Sequence, residues 1–309
     1  MKIRLTTVVI IVTFTLQIAN SFGQSGEVSN YYLLDKYIIN PAEAGVDKYQ
    51  PVVFSYKQKW LGVKDAPNSQ TIMSHRKLSK KVAVGIKVFN ESYGVLRKTG
   101  GEITYGYTIP IFKKRGIIRL GLSGIFYQKG LNYSKLELQN NADDKLYLDG
   151  YKAKFVPDVA LGVSAYMHGI NVGVAVPRVI QLKTDLTNKD IMEFRENREY
   201  IIYGSYGFKT DLRTFFEPGV LARVQENGDI QVDINMRLKW KKKLNLGVSY
   251  RSADAFVLFT GVDFSKISVF YSYEMGISNI VRYSTGSHEL MIAYRFYKDR
   301  GLRKKKPLF

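Results

Sequence analysis

From Ile230 to Trp240 apolar and polar residues alternate without a break. Ile230, Val232, Ile234, Met236, Leu238 and Trp240 fall on one side, and Gln231, Asp233, Asn235, Arg237 and Lys239 on the other. Successive strand residues face opposite ways, so this spacing predicts a strand with one apolar and one polar face. Comparable segments lie near 51–59, 69–77, 82–90, 102–110, 117–127, 155–167, 169–176, 199–209, 215–224, 230–240, 244–252, 255–263, 266–274 and 287–296. An apolar face meets a second sheet in a sandwich and lipid in a barrel, and segments of about ten residues suit a tilted membrane strand.

The connections separate the two. Turns after even-numbered segments are short: 78–81, 111–116, 168–169, 210–214, 241–243 and 265. The alternate set holds the long ones, at 60–68, 91–101, 128–154, 177–198 and 275–286, besides the short 225–228 and 253–254. Short periplasmic turns and longer outer loops are a property of bacterial barrels, and a sandwich has no reason to sort loop lengths this way. The expected fold is all-β, a transmembrane antiparallel barrel of about 14 strands in the outer membrane. Glycines within the strands predict bends or close packing.

Charge follows the same sorting. Lys80, Lys81, Lys113, Lys114, Arg115, Arg213, Lys241, Lys242, Lys243 and Lys266 fall on the short-turn side, as does the tail with Arg303, Lys304, Lys305 and Lys306. Asp143, Asp144 and Asp149 fall in the longest outer loop. The formal charge is +19, or +17 once Lys2 and Arg4 are removed. Their removal is expected because a basic start, an apolar run over 5–18 and the Ser21-Phe22-Gly23 site read as a cleaved signal peptide. That run is too short to span a bilayer. The predicted organisation is a signal peptide over 1–23, a periplasmic lead-in over 24–50, the barrel over 51–297 and a basic periplasmic tail over 298–309. For an exported chain the anionic partner is expected to be lipopolysaccharide or an acidic protein, not nucleic acid.

Candidate chemistry is sparse. The chain has no cysteine, which removes disulfides and thiolate nucleophiles. His75, His168 and His288 lie on separate segments, which does not suggest a metal site. Ser74-His75 and Ser287-His288 pair residues that face opposite sides of a strand, so neither makes a nucleophile and base by itself. The acidic run near Asp143 lacks the spacing of a calcium loop. Tyr271-Ser272-Tyr273-Glu274 reads as part of an aromatic girdle. No cofactor is expected.

Asn40-Pro41-Ala42 with Ala44-Gly45, then Gln58, Trp60, Gly62, Ala66-Pro67 and Gln70-Thr71, occur in an order that resembles the PorP/SprF family of type IX secretion system outer-membrane proteins of Bacteroidetes. Pro157-Asp158, Leu161-Gly162, Gly173 to Pro177, Tyr250-Arg251-Ser252, Tyr271-Ser272-Tyr273 and Gly286-Ser287-His288-Glu289 continue the resemblance to the end of the barrel. Glu274 stands where the family pattern has aspartate, and the basic extension after Phe296 is not part of it. The resemblance implies a non-enzymatic barrel that supports secretion or surface attachment of cargo such as adhesins, including those of gliding motility. Its implied partners are the cargo, the periplasmic and outer-membrane type IX components and outer-membrane lipid. Candidate partner-binding residues are Asn40, Pro41, Trp60, Gly62, Pro67, Lys113, Lys114, Arg115, Lys241, Lys242, Lys243, Ser287, His288 and Glu289. A barrel of this size is too narrow to pass a folded protein, so the expected role is scaffold or cargo adaptor. The alternative is a porin or small-solute transporter whose inward Asp233, Asn235, Arg237, Arg251 and Arg295 either select ions or pair across the lumen.

Overall fold

The computed structural model describes residues 29–47, 49–112, 115–132, 151–185, 193–194, 197–277 and 279–297. The signal peptide, Lys113, Lys114, Asp143, Asp144, Asp149 and the basic tail lie outside the described residues.

Alternation carries through into fourteen barrel strands. They are β1 (Gln50–Gln58), β2 (Asn68–Lys77), β3 (Val82–Tyr93), β4 (Leu96–Ile111), β5 (Gly116–Asn132), β6 (Tyr151–Met167) and β7 (Ile170–Val176). After them come β8 (Glu199–Tyr206, continued by Phe208–Lys209), β9 (Thr214–Gln225), β10 (Ile230–Trp240) and β11 (Leu244–Arg251). The last three are β12 (Ala255–Asp263), β13 (Ile267–Gly276) and β14 (Ser287–Phe296). Each pairs antiparallel with its neighbours; β8 joins β9, and β14 joins β1 with Phe296 opposite Gln50 and His288 opposite Gln58. The sheet is therefore closed and leaves no edge across the bilayer, as lipid requires.

The outer surface carries an apolar belt. Ile72, Ile86, Ile103, Leu122, Val163, Val174, Ile202, Ile234, Leu246, Leu258 and Ile292 are all exposed, while their strand neighbours point inward. In β10, Ile234 and Met236 face out and Asp233 is buried, as the alternation predicts. Every connection at one end is short, whereas the other end holds the long connections 59–67, 133–150, 177–198 and 277–286 together with three short ones, 94–95, 226–229 and 252–254, the first of them a tight hairpin where a long loop over 91–101 was expected. In bacterial barrels these are the periplasmic and outer ends. Strands β3 to β6 run further outward than the hydrophobic pattern suggests, with β5 and β6 reaching 17 residues each. Above the membrane both faces of a strand meet water or polar neighbours, so no apolar face marks these extensions.

The largest departure from expectation is the lead-in. Residues 29–47, expected on the periplasmic side, lie inside the barrel as three short 3-10 turns at Asn30–Leu33, Lys36–Ile38 and Pro41–Glu43. Ser29, Asp35 and Asn40 cap them, each side chain accepting from the backbone N–H two residues on. With its own backbone satisfied locally, the segment can be buried without a sheet partner.

Candidate functional site: the plugged lumen and its two mouths

The plug ascends through the lumen from β1. Its end near Gly45 lies at the periplasmic side, next to the start of β1, and its other end reaches the outer ends of β13 and β14. There Ser29 donates to Glu289, as does the Asn30 N–H at 2.8 Å. Asn30 Nδ2 donates to Ser272 (3.0 Å) and Glu274 (2.9 Å), and its Oδ1 accepts from Arg251 (3.1 Å). Arg251 also contacts Asp233 (3.1 Å) and Glu274 (3.1 Å), and Lys57 reaches Glu274 at 2.7 Å. Every member of this buried cluster has an opposite charge or a hydrogen-bond partner, which is the condition for keeping charges out of water.

Midway down, Tyr32 donates to Asp233 (3.1 Å), Lys36 to Glu217 (3.0 Å) and Tyr37 meets the Thr104 hydroxyl (2.9 Å). Asn40 is fully buried. Its Oδ1 accepts from Ala42 N–H (2.8 Å), and its Nδ2 donates to Val163 C=O (3.2 Å), Val174 C=O (3.4 Å) and the Tyr203 hydroxyl (3.1 Å). Glu43 accepts from Arg119 (3.0 Å), Tyr203 (2.7 Å) and Asn171 (3.2 Å). The wall is shaved to admit this turn. A Cβ on Gly121 would stand 2.1 Å from Ala42 N, and one on Gly162 would stand 1.9 Å from Asn40 Oδ1.

The lumen expected to be polar is thus mixed, polar and apolar. Tyr32, Leu33 and Ile39 pack on Ala175, Ile201, Leu221 and Phe259, while Tyr31, Tyr37 and Ala44 pack on Val53, Met73, Phe270 and Met291. The inward charges pair with one another: Asp233 with Arg251, Glu217 with Arg237 (3.4 Å), and Asp263 with both Lys239 (2.6 Å) and Arg295. Lumen charges that might have selected ions are instead committed to the wall and the plug.

Where the plug leaves the lumen, His75 forms a clasp. Gly45 N–H donates to His75 Nδ1 at 2.9 Å, so the ring proton sits on Nε2, which lies 2.8 Å from Asp35. Asp47 completes a trio whose side-chain ligand atoms lie within 4.8 Å of one another. Both ring nitrogens are already engaged, so this tautomer offers no lone pair to a metal ion. Burial, with Asp35 close by, pushes the Asp47 carboxyl up to about 6.

The residues singled out from the sequence divide among three places. Asn40 and Pro41 are in the plug. Trp60, Gly62 and Pro67 are in the β1–β2 loop at the outer mouth, where Trp60 N–H donates to Ser287 Oγ (3.2 Å) and Leu61 N–H to Gly286 C=O (2.8 Å). Ser287 and Glu289 are buried and face in, whereas His288 faces out and contacts the Tyr271 hydroxyl at 2.6 Å. The Tyr271 to Glu274 motif splits the same way, with tyrosines outside and Ser272 and Glu274 holding Asn30 inside. Arg115, Lys241, Lys242 and Lys243 are exposed on the periplasmic turns, beside Lys80, Lys81, Arg213 and Lys266.

Above the plug an outer vestibule of about 480 Å³ opens between the loops. Ile38, Ile39, Asn40 and Pro41 form part of its lining, with Trp60, Phe89, Tyr93, Lys98, Tyr127 and Arg178 around them. The Lys98 ammonium lies 4.3 Å from the centre of the Tyr127 ring.

Comparison with known proteins places this architecture. The family model described as type IX secretion system membrane protein PorP/SprF matches residues 20–294. A comparison with curated protein sequences gives no match. Among solved structures, the toluene transporter TbuX of Ralstonia pickettii is similar with a TM-score of 0.52 at 9% identity, covering 89% of this chain and 95% of that one. A Pseudomonas aeruginosa FadL homologue is similar with a TM-score of 0.51 at 8% identity, covering 84% and 92%. Likeness at such identity concerns the fold of an outer-membrane barrel alone. The match over nearly the whole chain settles the family: this outer-membrane protein belongs to the PorP/SprF family of type IX secretion system membrane proteins.

Proposed function

We propose that the protein is a non-enzymatic, membrane-fixed adaptor of the type IX system, dedicated to secreting or displaying a particular cargo such as an adhesin. The observation that carries this reading is the filled lumen. A segment hydrogen-bonded to the wall from Glu289 at the top to His75 at the bottom occupies the lumen that a polypeptide would have to use. The barrel is then useful for its two ends. The outer loops and vestibule face cargo or a surface partner, and the basic periplasmic turns face an acidic component of the machine.

The test is deletion of the gene, comparing secreted and surface proteomes with those of a strain carrying a restored copy. Loss of one or a few large surface proteins with general export intact is the expected result. An unchanged proteome with altered small-solute uptake, together with single-channel conductance of the purified protein, would favour a porin and overturn the proposal.

A further inference from the structure

Gln58 and Gln70 hold neither the plug nor the lumen wall. Both face outward, and their cross-strand partners define what surrounds them. One outward row runs through Leu290, Tyr56, Gln70, Asn90, Thr99 and Gln128. The next row toward the outer end runs through His288, Gln58, Asn68, Ser92 and Arg97. The row on the periplasmic side, through Ile292, Phe54, Ile72, Val88, Gly101 and Phe126, carries no polar side chain. An amide-rich patch therefore begins abruptly on the outer face of β2 to β4, directly against the apolar belt.

The patch begins at lipid depth. All periplasmic turns are short, so the strand ends there lie at about one level. Gln70 is seven residues from that end of β2 at Lys77, and Asn90 eight from that of β3 at Val82. Phe126, by contrast, is ten residues from the end of β5 at Gly116, and Ile230 ten from that of β10 at Trp240. Phe126 and Ile230 are both exposed on the outer face. Amides that face the membrane at or below such apolar neighbours need polar partners.

Their own bonding supplies only part of this. Asn90 Oδ1 accepts from Arg97 Nε (2.9 Å) and Thr99 Oγ1 (2.8 Å), and Asn90 Nδ2 reaches Gln70 Oε1 only at 3.5 Å. Among the described residues, the Gln70 amide nitrogen and the two Arg97 amino groups meet no acceptor. A cleft of about 310 Å³ opens over them, lined by Asn68, Gln70, Asn90, Ser92 and Arg97. Just beneath Thr99, Gly101 leaves a dip between Val88 and Phe126, where a Cβ would meet nothing closer than Lys87 C=O at 3.6 Å.

We infer that this cleft holds the phosphorylated sugar headgroup of one lipopolysaccharide molecule of the outer leaflet. Arg97 offers a planar pair of donors to a phosphate, Gln70, Asn68 and Ser92 meet sugar hydroxyls, and an acyl chain descends past Gly101. The inference goes beyond the adaptor reading and does not depend on it.

The test uses native mass spectrometry of the purified full-length protein released from detergent micelles. The probes are lipid A bearing its phosphates, phosphatidylglycerol and soluble glucosamine 1-phosphate. One lipid A is expected to stay bound, with phosphatidylglycerol at least tenfold weaker and no displacement by the soluble sugar phosphate. Arg97→Gln, and separately Gln70→Leu with Asn90→Leu, should each weaken lipid A about tenfold while the melting temperature falls in neither. Arg76→Gln, at an exposed arginine near the periplasmic end of β2, should change nothing. Absence of lipid A binding overturns the inference, as does binding that ignores both cleft variants or responds equally to Arg76→Gln. Equal retention of phosphatidylglycerol would mean a surface for any anionic lipid, and displacement by glucosamine 1-phosphate a site for free anions; either overturns it as well.

Discussion

Gly121→Ala should unseat the plug without unfolding the barrel. The added Cβ would stand 2.1 Å from Ala42 N and 2.3 Å from Pro41 C, which are backbone atoms and cannot rotate aside. The turn must withdraw by about an ångström to restore ordinary contact. That carries Asn40 Nδ2 away from acceptors now at 3.1, 3.2 and 3.4 Å. Overpacking costs about 1–3 kcal/mol, and each hydrogen bond lost adds about 0.5–1.5 kcal/mol. The local penalty is about 2.5–7.5 kcal/mol, or roughly two to five powers of ten in the seating equilibrium. The strand itself gains a residue with less conformational freedom to lose, so the barrel should stay folded, read as an unchanged far-UV circular dichroism spectrum. With no native cysteine, a Leu33→Cys reporter can be labelled cleanly; Leu33 is 5% exposed. Adding Gly121→Ala should raise its maleimide labelling rate at least tenfold and open measurable conductance in a planar bilayer. A folded double variant that labels as slowly as the single one would refute the steric argument.

Other outcomes follow from the same contacts. Arg251→Met leaves Asp233 and Glu274 without their buried guanidinium, and removing one partner of such a cluster costs about 3–5 kcal/mol, read as a lower melting temperature. The raised Asp47 carboxyl binds its proton more tightly when the plug is seated than when it is free. Its contribution to seating is present below about pH 4 and is lost as pH rises through about 6, by at most about 3 kcal/mol; hydrogen exchange at Ala42 measures it, and Asp47→Asn should remove this contribution. Replacing Lys241, Lys242 and Lys243 with alanine should change stability by no more than about 0.5 kcal/mol while reducing salt-sensitive co-purification of periplasmic type IX components.

Much of the barrel was legible because lipid imposes a period of two on whatever crosses it. Ile234 and Asp233 declare their faces unaided, and loop parity gave the two ends. The plug was not legible, because 29–47 follows no repeat and its burial depends on residues hundreds of positions away. Asn40-Pro41 stood out as a motif, but its work as cap and wall anchor involves Tyr203 and Val163, which no local pattern connects to it. Tyr32 and Glu43 were missed for the same reason; Arg251 was read correctly as an inward charge able to pair across the lumen, and His75 as an isolated histidine, but neither could be connected to the plug. A usable signal existed in Gly121 and Gly162: inward glycines on neighbouring strands announce that something must approach the wall closely.

Glu289 joins the two ends of the chain in more than geometry. Its carboxylate accepts from Ser29 and Asn30 at the start of the plug and from Ser55 of β1 at 2.9 Å, while its own strand forms the seam with β1. During assembly the start of the plug must wait for the last strand before either finds this partner. A barrel that closes empty therefore lacks part of its seam's bonding, and a plug without the closed seam lacks its upper anchor. Filling and closure become one cooperative step, which disfavours the release of an unfilled pore into the membrane.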